Sequence, residues 1–177
     1  FFLTPKGALS PFDAIFKKAA QKYGWDWKVL AAIAYKESRF NPNARGFGGA
    51  YGLMQFMPNT GPQFGVFPDS SPEQQINGGM RYLASVYRRW SSIADEQTRL
   101  QFTLASYNAG MCHIEDAQRL ARAAGLNPNL WDGNVAEMVK KLDDPQFYRS
   151  EMVRCGAYRG AATSYVAKVM GIYTRWK

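Results

Sequence analysis

One glutamate of the chain occupies a position at which helical periodicity predicts an apolar residue. Three apolar residues precede Glu37 by seven, four and three positions: Leu30, Ile33 and Ala34. This spacing places Glu37 on the apolar face of a predicted helix, and burial raises the pKa of a carboxyl group by disfavouring its charged form. A carboxylic acid that keeps its proton near neutral pH can protonate a glycosidic oxygen. Periodicity alone leaves open an ion pair at a helix end, with one of three nearby cations: Lys36, Arg39 and Arg45.

The elements that must position Glu37 are predicted to be mostly helices, because apolar residues recur at helical spacing through most of the chain. One helix should begin after Ser10-Pro11, and the helix that carries Glu37 should stop at Asn41-Pro42. Later helices are expected from a capping box at Ser71-Pro72 with Gln74, over about Glu96–Ala109, from there to Gly125, and over Val135–Leu142 and Ser164–Tyr173. A loop or small hairpin is predicted at four closely spaced glycines: Gly46, Gly48, Gly49 and Gly52. The expected fold is therefore mainly α, a single domain over residues 1–177.

The composition favours an anionic partner. Lys and Arg number 22 against 14 Asp and Glu, which gives a formal net charge of +8. The basic residues are scattered and form no cluster interleaved with aromatics, so no nucleic-acid interface is expected. His113 is the only histidine, which excludes a multi-histidine metal site. The chain begins at Phe1 without Met, which we interpret as a mature form or an excised domain.

Three motifs follow one another along the chain. They are Glu37-Ser38, Gly52-Leu53-Met54-Gln55-Phe56-Met57-Pro58 and Ala105-Ser106-Tyr107-Asn108-Ala109-Gly110. In this order and spacing they resemble the catalytic domain of the Slt-type (family 1) lytic transglycosylases, which share the lysozyme-like α+β fold with goose-type lysozyme. The resemblance is strongest to the membrane-bound MltF branch, through three further segments: His113-Ile114-Glu115-Asp116-Ala117, Arg159-Gly160 and Tyr165-Val166. It covers nearly the whole chain, from about Ser10 to Tyr173, and implies a glycine-rich loop or hairpin beside the cleft.

The resemblance implies that Glu37 is the single catalytic acid and base. It would protonate the oxygen that bridges N-acetylmuramic acid and N-acetylglucosamine in peptidoglycan. It would then take the proton of the muramoyl 6-hydroxyl group, which attacks the anomeric carbon and forms a 1,6-anhydromuramoyl end without water. A tethered hydroxyl has a high effective concentration, which explains why the second carboxylate of ordinary glycosidases is dispensable.

Six further residues match positions that contact the sugar or orient the acid in the family. These expected substrate-binding residues are Gln55, Met54, Tyr107, Asn108, Tyr158 and Ser38. Two of them have structural alternatives, because Met54 can be a core residue and Asn108 can serve only the end of its helix. Tyr148 and Tyr165 compete with Tyr158 for the role of a late cleft tyrosine.

One position departs from the family pattern. Many relatives have a serine nine residues after the catalytic glutamate, and this chain has Gly46 there. The missing hydroxyl removes a hydrogen bond worth about 0.5–1.5 kcal/mol, so the chain needs a substitute from elsewhere or a different substrate preference.

The resemblance also sets expectations about partners and location. It implies binding to peptidoglycan glycan strands, a monomeric enzyme without metal or organic cofactor, and a periplasmic location, with outer-membrane association through regions outside this chain. Because their segments meet beside the cleft in this fold, Cys112 and Cys155 are expected to form a disulfide that staples the cleft wall, with two buried free thiols as the alternative.

Two other functions compete with the transglycosylase hypothesis. A hydrolytic muramidase of the goose-lysozyme type needs a second carboxylate to activate water, and Asp69 and Glu73 are the candidates. A cell-wall binding module without catalysis is the second alternative, which Gly46 favours slightly and the intact Glu37 opposes.

Overall fold

Eight α-helices make up most of residues 7–177, the part of the chain that the computed structural model describes. In chain order they are α1 (Asp13–Gln21), α2 (Trp27–Ser38), α3 (Pro72–Arg89), α4 (Glu96–Ala109), α5 (Met111–Ala123), α6 (Ala136–Lys141), α7 (Pro145–Tyr148) and α8 (Ala162–Trp176). The predicted mainly α class is confirmed. Within residues 7–177 there are isolated antiparallel β-bridges, which join Tyr51 to Arg45 and to Phe56. The glycine-rich segment thus forms a tight loop held by single bridges.

Side-chain caps explain why two helices have the predicted ends. At the start of α3, Ser71 N donates a hydrogen bond to Gln74 Oε1 (2.9 Å), and Gln74 N donates to Ser71 Oγ (3.1 Å). This is the predicted capping box. α4 covers Glu96–Ala109 as predicted, between the side-chain cap of Asp95 and the positive-φ residue Gly110.

Several other helix ends differ from the prediction, including both ends of α6 and α8, and two of the differences have a clear local cause. α1 begins at Asp13, later than expected, because Phe12 has non-helical backbone angles (φ of −108° and ψ of 9°). α2 ends at Ser38, before the predicted stop at Asn41-Pro42. The cause is Arg39, whose backbone is left-handed with φ of 55°, a conformation that ends an α-helix.

The chain divides into two compact units, which are described separately. Residues 7–84 with Val169–Lys177 belong to the first unit, and Ser85–Lys168 form the second. That residues 1–177 work as one catalytic domain stays a prediction.

The core of the first unit is built around α2. Six consecutive residues of this helix, from Val29 to Ala34, are buried, so the middle of α2 is surrounded by protein and has no single apolar face. α1 packs against α2 through a face that includes the buried Phe16. Tyr23, which lies at helical spacing from Phe16 in the sequence, falls beyond the end of α1 and is 40% exposed. Glu37 comes three residues after this buried segment of α2. Its partial burial therefore reflects the burial of the whole helix and not only its place on one apolar face.

The second unit packs α4, α5 and α6 together. Phe102 of α4 lies in its core, with ring centroids 5.0 Å from Trp90 and 5.5 Å from Trp131. Asp116 of α5 is fully buried, which is rare for a carboxylate and requires hydrogen-bond partners.

No helix within residues 7–177 has both the length and the apolar character needed to cross a membrane.

Candidate active site

Glu37 lies in the last turn of α2 and is half-buried. The aromatic rings of Tyr35 and Phe40 flank it in the chain, with centroids 5.5 Å apart, and Trp176 lies 5.5 Å from Tyr35. Arg39 donates a hydrogen bond to the hydroxyl of Tyr35 and places its guanidinium 4.4 Å from the centre of that ring. Aromatic packing therefore fixes the end of α2, and Arg39 is directed to Tyr35.

Ser38 joins the end of α2 to the Gly-Leu-Met-Gln motif. Its hydroxyl lies within hydrogen-bond distance of two acceptors, Leu53 O at 2.9 Å and Ala34 O at 3.1 Å, and it accepts a hydrogen bond from Asn41 N (3.2 Å). The residue next to Glu37 thus holds the loop that contains Met54 and Gln55. Two motifs that are 15 residues apart in sequence meet in the first unit.

Gln75 supports the same loop from α3, and sequence reasoning missed it. Its side chain is 2% exposed. Leu53 N donates a hydrogen bond to Gln75 Oε1 (2.7 Å), and Gln75 Nε2 donates to Ser70 O (2.9 Å) and Pro42 O (3.2 Å). Gln75 therefore satisfies three backbone groups of irregular segments that have no helical partner.

A pair of glycines within α3 was the available signal for this support. A Cβ atom at Gly79 would lie 2.9 Å from Met54 Cγ, and one at Gly78 would lie 2.3 Å from a methyl carbon of Val66. Glycines in the middle of a helix weaken it unless another element needs the space. Gly79 thus lies where the motif loop packs on α3, and Gly78 lies where the segment around Val66 packs on it.

Met54 and Gln55 differ in their exposure. Met54 is 1% exposed, so its side chain is part of the core of the first unit, the alternative that the sequence left open. Gln55 has left-handed backbone with φ of 51°, and its Nε2 donates hydrogen bonds to Gly52 O (2.9 Å) and Ala44 O (3.3 Å). Its carboxamide is half-buried and held across the glycine-rich loop.

The carboxamide of Gln55 occupies the space next to Gly46. A Cβ atom at Gly46 would lie 2.1 Å from Gln55 Oε1, and the nearest other atom is the Gln55 amide carbon at 3.3 Å. The position at which many relatives have a serine therefore has no room for a side chain while Gln55 keeps this conformation. Because position 46 has no side chain, the Gln55 carboxamide can occupy this space.

The second unit contains the tyrosine-asparagine pair. Tyr107 and Asn108 lie in the last turn of α4, where Tyr107 is half-buried and Asn108 is exposed. The hydroxyl of Tyr158 donates a hydrogen bond to Asn108 Oδ1 (3.3 Å) and accepts one from Ala162 N (3.1 Å). Burial raises the pKa of Tyr158, which outweighs the opposite effect of the Ala162 amide, so the hydroxyl keeps the proton that it donates.

The predicted disulfide is present, and its first cysteine, Cys112, follows Tyr107 and Asn108 closely in the sequence. Cys112 and Cys155 are bonded, with Cα atoms 6.1 Å apart, and they tie the start of α5 to the segment before Tyr158. With Asp116 they form the group of potential metal ligands found in residues 7–177. The two sulfurs are used in the disulfide and the carboxylate accepts N–H groups, so this donor set does not fit a metal ion.

His113 borders Tyr158 on α5. The two ring centroids are 5.0 Å apart, and His113 Nδ1 is buried without a hydrogen-bond partner in residues 7–177. Burial lowers the pKa of His113, and the charge of Asp116 only partly offsets this effect. The imidazole is therefore neutral at neutral pH.

The predicted site residues thus fall into two groups, one in each unit. Glu37, Ser38, Met54 and Gln55 belong to the first unit, and the second contains Tyr107, Asn108 and Tyr158. The carboxylates considered for a hydrolytic mechanism, Asp69 and Glu73, are exposed.

Comparison with known proteins identifies the relatives of this chain. The Transglycosylase SLT domain family matches residues 14–129. Two curated relatives are named membrane-bound lytic murein transglycosylase F, and 93% of this chain aligns with each. The protein of Desulfosudis oleivorans is 37% identical over 166 residues, and that of Shewanella pealeana is 40% identical over 166 residues. The chain spans about a third of these relatives, 36% and 34% of their length.

A solved structure has the same fold. The crystal structure of the 70 kDa soluble lytic transglycosylase of Escherichia coli aligns with 93% of this chain and 24% of its own chain, with a TM-score of 0.56 and 25% sequence identity. This similarity confirms the predicted lysozyme-like fold.

Proposed function

We propose that this chain, which belongs to the Transglycosylase SLT domain family, cleaves peptidoglycan as a lytic transglycosylase. The bond cut is the β-1,4 linkage between N-acetylmuramic acid and N-acetylglucosamine, and the product carries a 1,6-anhydromuramoyl end. The observation that carries this proposal is the hydrogen bond from Ser38 to Leu53 O (2.9 Å), because it holds the half-buried Glu37 beside the Gly-Leu-Met-Gln motif. The names of the relatives support the same reaction.

Glu37 acts first as an acid and then as a base. It donates its proton to the glycosidic oxygen as the bond from that oxygen to the anomeric carbon breaks. The muramoyl 6-hydroxyl oxygen then bonds to the anomeric carbon and gives its proton to Glu37, which restores the acid. Water is not consumed, and one carboxyl group is sufficient because the nucleophile is tethered to the sugar.

In this proposal the remaining site residues either bind the sugar or hold in place the residues that bind it. Gln55 presents a carboxamide that is held by Gly52 O and Ala44 O. Ser38 holds the loop that contains Gln55, and Met54 packs this loop against α3. Tyr107 and Asn108 supply a hydroxyl and an amide, groups suited to the hydroxyl and N-acetyl groups of the substrate.

Family membership also indicates a cellular location for the protein. We assign the protein to the periplasm, in contact with glycan strands, and propose outer-membrane association through regions outside this chain. The Cys112–Cys155 disulfide supports an oxidising compartment. We further propose that the catalytic unit is monomeric, uses no metal or organic cofactor and does not bind nucleic acid.

The test is product analysis by mass spectrometry after digestion of purified peptidoglycan. The unmodified protein should produce anhydromuramoyl ends, and Glu37→Gln should produce none. Glu73→Gln is the matched control, since it makes the same substitution at an exposed glutamate of the first unit. Reducing ends that disappear in Glu73→Gln or Asp69→Asn would establish hydrolysis instead, and binding without products would establish a cell-wall binding module.

A further inference from the structure

We propose that Asp116 is a positioning residue for this reaction, because it fixes the segment that carries Tyr158, and Tyr158 in turn orients the amide of Asn108. This inference rests on the proposed function and adds residues to it that belong to none of the three family motifs. Asp116 itself reaches neither the substrate nor the reacting atoms. All groups involved lie in the second unit.

Asp116 is the centre of a buried set of hydrogen bonds. Its side chain is fully buried. Arg154 N donates to Oδ1 (2.9 Å), Cys155 N donates to Oδ2 (3.0 Å), and the guanidinium of Arg119 forms an ion pair with Oδ1. Arg119 also donates through Nε to Met152 O (2.8 Å). Two side chains of α5 thus hold three backbone groups of one segment.

The segment needs this support because it has no helical or strand hydrogen bonds of its own. Residues 151–161, between α7 and α8, form turns, bends and irregular backbone. The Cys112–Cys155 disulfide attaches it to α5 at a second point, beside the amide that Asp116 binds. Side chains of α5 therefore hold the segment at Arg154 and Cys155, directly before the turn that leads to Tyr158.

Tyr158 is held closely on several sides. Its backbone N donates to Leu142 O (3.1 Å), and its ring faces His113 at 5.0 Å. A Cβ atom at Gly160 would lie 2.4 Å from the Tyr158 hydroxyl oxygen, so glycine at that position allows the hydroxyl to reach Ala162 N. Contacts within the protein thus fix the position of the Tyr158 side chain.

The hydrogen-bond pattern decides which atom of the Asn108 amide faces Tyr158. A tyrosine hydroxyl has one hydrogen, and because Ala162 N already donates to its oxygen, that hydrogen is available for Asn108 Oδ1. The Nδ2 group, a hydrogen-bond donor, then lies on the side of the amide away from Tyr158, and Asn108 is exposed. Such a donor suits an acceptor oxygen of the glycan, such as an N-acetyl carbonyl or a ring hydroxyl.

A double-mutant cycle in activity tests the chain of contacts. In Asp116→Asn the new NH₂ group faces backbone N–H donors, so the segment shifts, and kcat/KM for anhydromuramoyl products should fall by roughly three- to tenfold. In an Asn108→Ala background the same substitution should cause almost no further loss, because the group that it positions is gone. Ile114→Val is the matched control, since it weakens the buried core two residues from Asp116 and keeps the hydrogen bonds of Asp116 to the segment, and its small effect should be equal in both backgrounds.

A second measurement does not depend on activity. In ¹⁵N-labelled protein, Asp116→Asn and Tyr158→Phe should move the same Asn108 side-chain amide signals, and Ile114→Val should leave them in place. Unmoved Asn108 signals, or an equal loss of activity from Asp116→Asn with and without Asn108, would overturn the inference. If the unmodified protein makes no anhydromuramoyl ends, the proposed function fails, and the amide signals alone decide whether Asp116 positions Asn108.

Discussion

Replacing Gln75 with methionine should strongly destabilise the protein although it changes no residue of a family motif. Methionine has similar length and volume, so the packing of α3 is largely kept. What is lost is a set of three hydrogen bonds, to Leu53 N, Ser70 O and Pro42 O, at 2.7, 2.9 and 3.2 Å. The perturbation therefore isolates the polar support of the motif loop.

The magnitude follows from the burial of these groups. Each hydrogen bond contributes about 0.5–1.5 kcal/mol net, and a buried donor left without a partner costs about 1–3 kcal/mol. Gln75 is 2% exposed and the amide that it accepts from belongs to the fully buried Leu53, so the loss of unfolding free energy should be about 2–4 kcal/mol. Activity should fall as well, because Leu53 precedes Met54 and Gln55 in the loop.

The neighbouring residue provides the control. Gln74 is exposed and caps α3 through Ser71 N at 2.9 Å, so Gln74→Met should cost only about 0.5–1 kcal/mol. Urea unfolding followed by circular dichroism measures both variants, with an unchanged m-value as the sign that only stability differs. If Gln75→Met loses no more stability than Gln74→Met, the hydrogen bonds of Gln75 do not support the loop.

Three further predictions concern single features of the structure. Gly46→Ser, which restores the residue of many relatives, should lower activity, because its Cβ would lie 2.1 Å from Gln55 Oε1 and displace that amide; an increase in product formation would contradict this. Replacing both Cys112 and Cys155 with alanine should lower the free energy of unfolding by up to about 4 kcal/mol, as expected for a cross-link over 43 residues, measured by urea unfolding against the oxidised protein. Because burial lowers the pKa of His113, the unfolded chain binds the proton more readily, so stability should be complete above about pH 6.5 and fall as the pH drops below it; His113→Phe should flatten this slope, and an unchanged slope would show that His113 is not its source.

Local signals account for the parts of the fold that the sequence predicts well. Glu96–Ala109 is recovered to the residue because glycine ends that helix, and the capping box at Ser71 forms as expected. The start of α1 was less predictable, since no local sequence signal marks the non-helical backbone of Phe12. Periodicity also favoured a one-sided α2, whereas the helix is buried on all sides in its middle.

The supporting residues of the site could not be predicted in the same way. A glutamine such as Gln75 is usually exposed, and only the position of a loop 22 residues earlier in the chain explains its burial. The contact of Tyr158 with Asn108 spans 50 residues and follows no periodic pattern. Resemblance identifies residues that belong to a motif, but packing between distant segments determines which others hold them in place.

The central claim is that cleavage uses the sugar's own 6-hydroxyl group, with Glu37 as the only acid and base. The most direct test is digestion of peptidoglycan in water enriched in heavy oxygen, followed by mass spectrometry of the new muramoyl ends. Attack by the 6-hydroxyl group should give anhydromuramoyl ends without heavy oxygen, and Glu37→Gln should give none. Reducing ends that contain one heavy oxygen atom would contradict it, since they would show that water, and not the tethered hydroxyl, attacks the anomeric carbon.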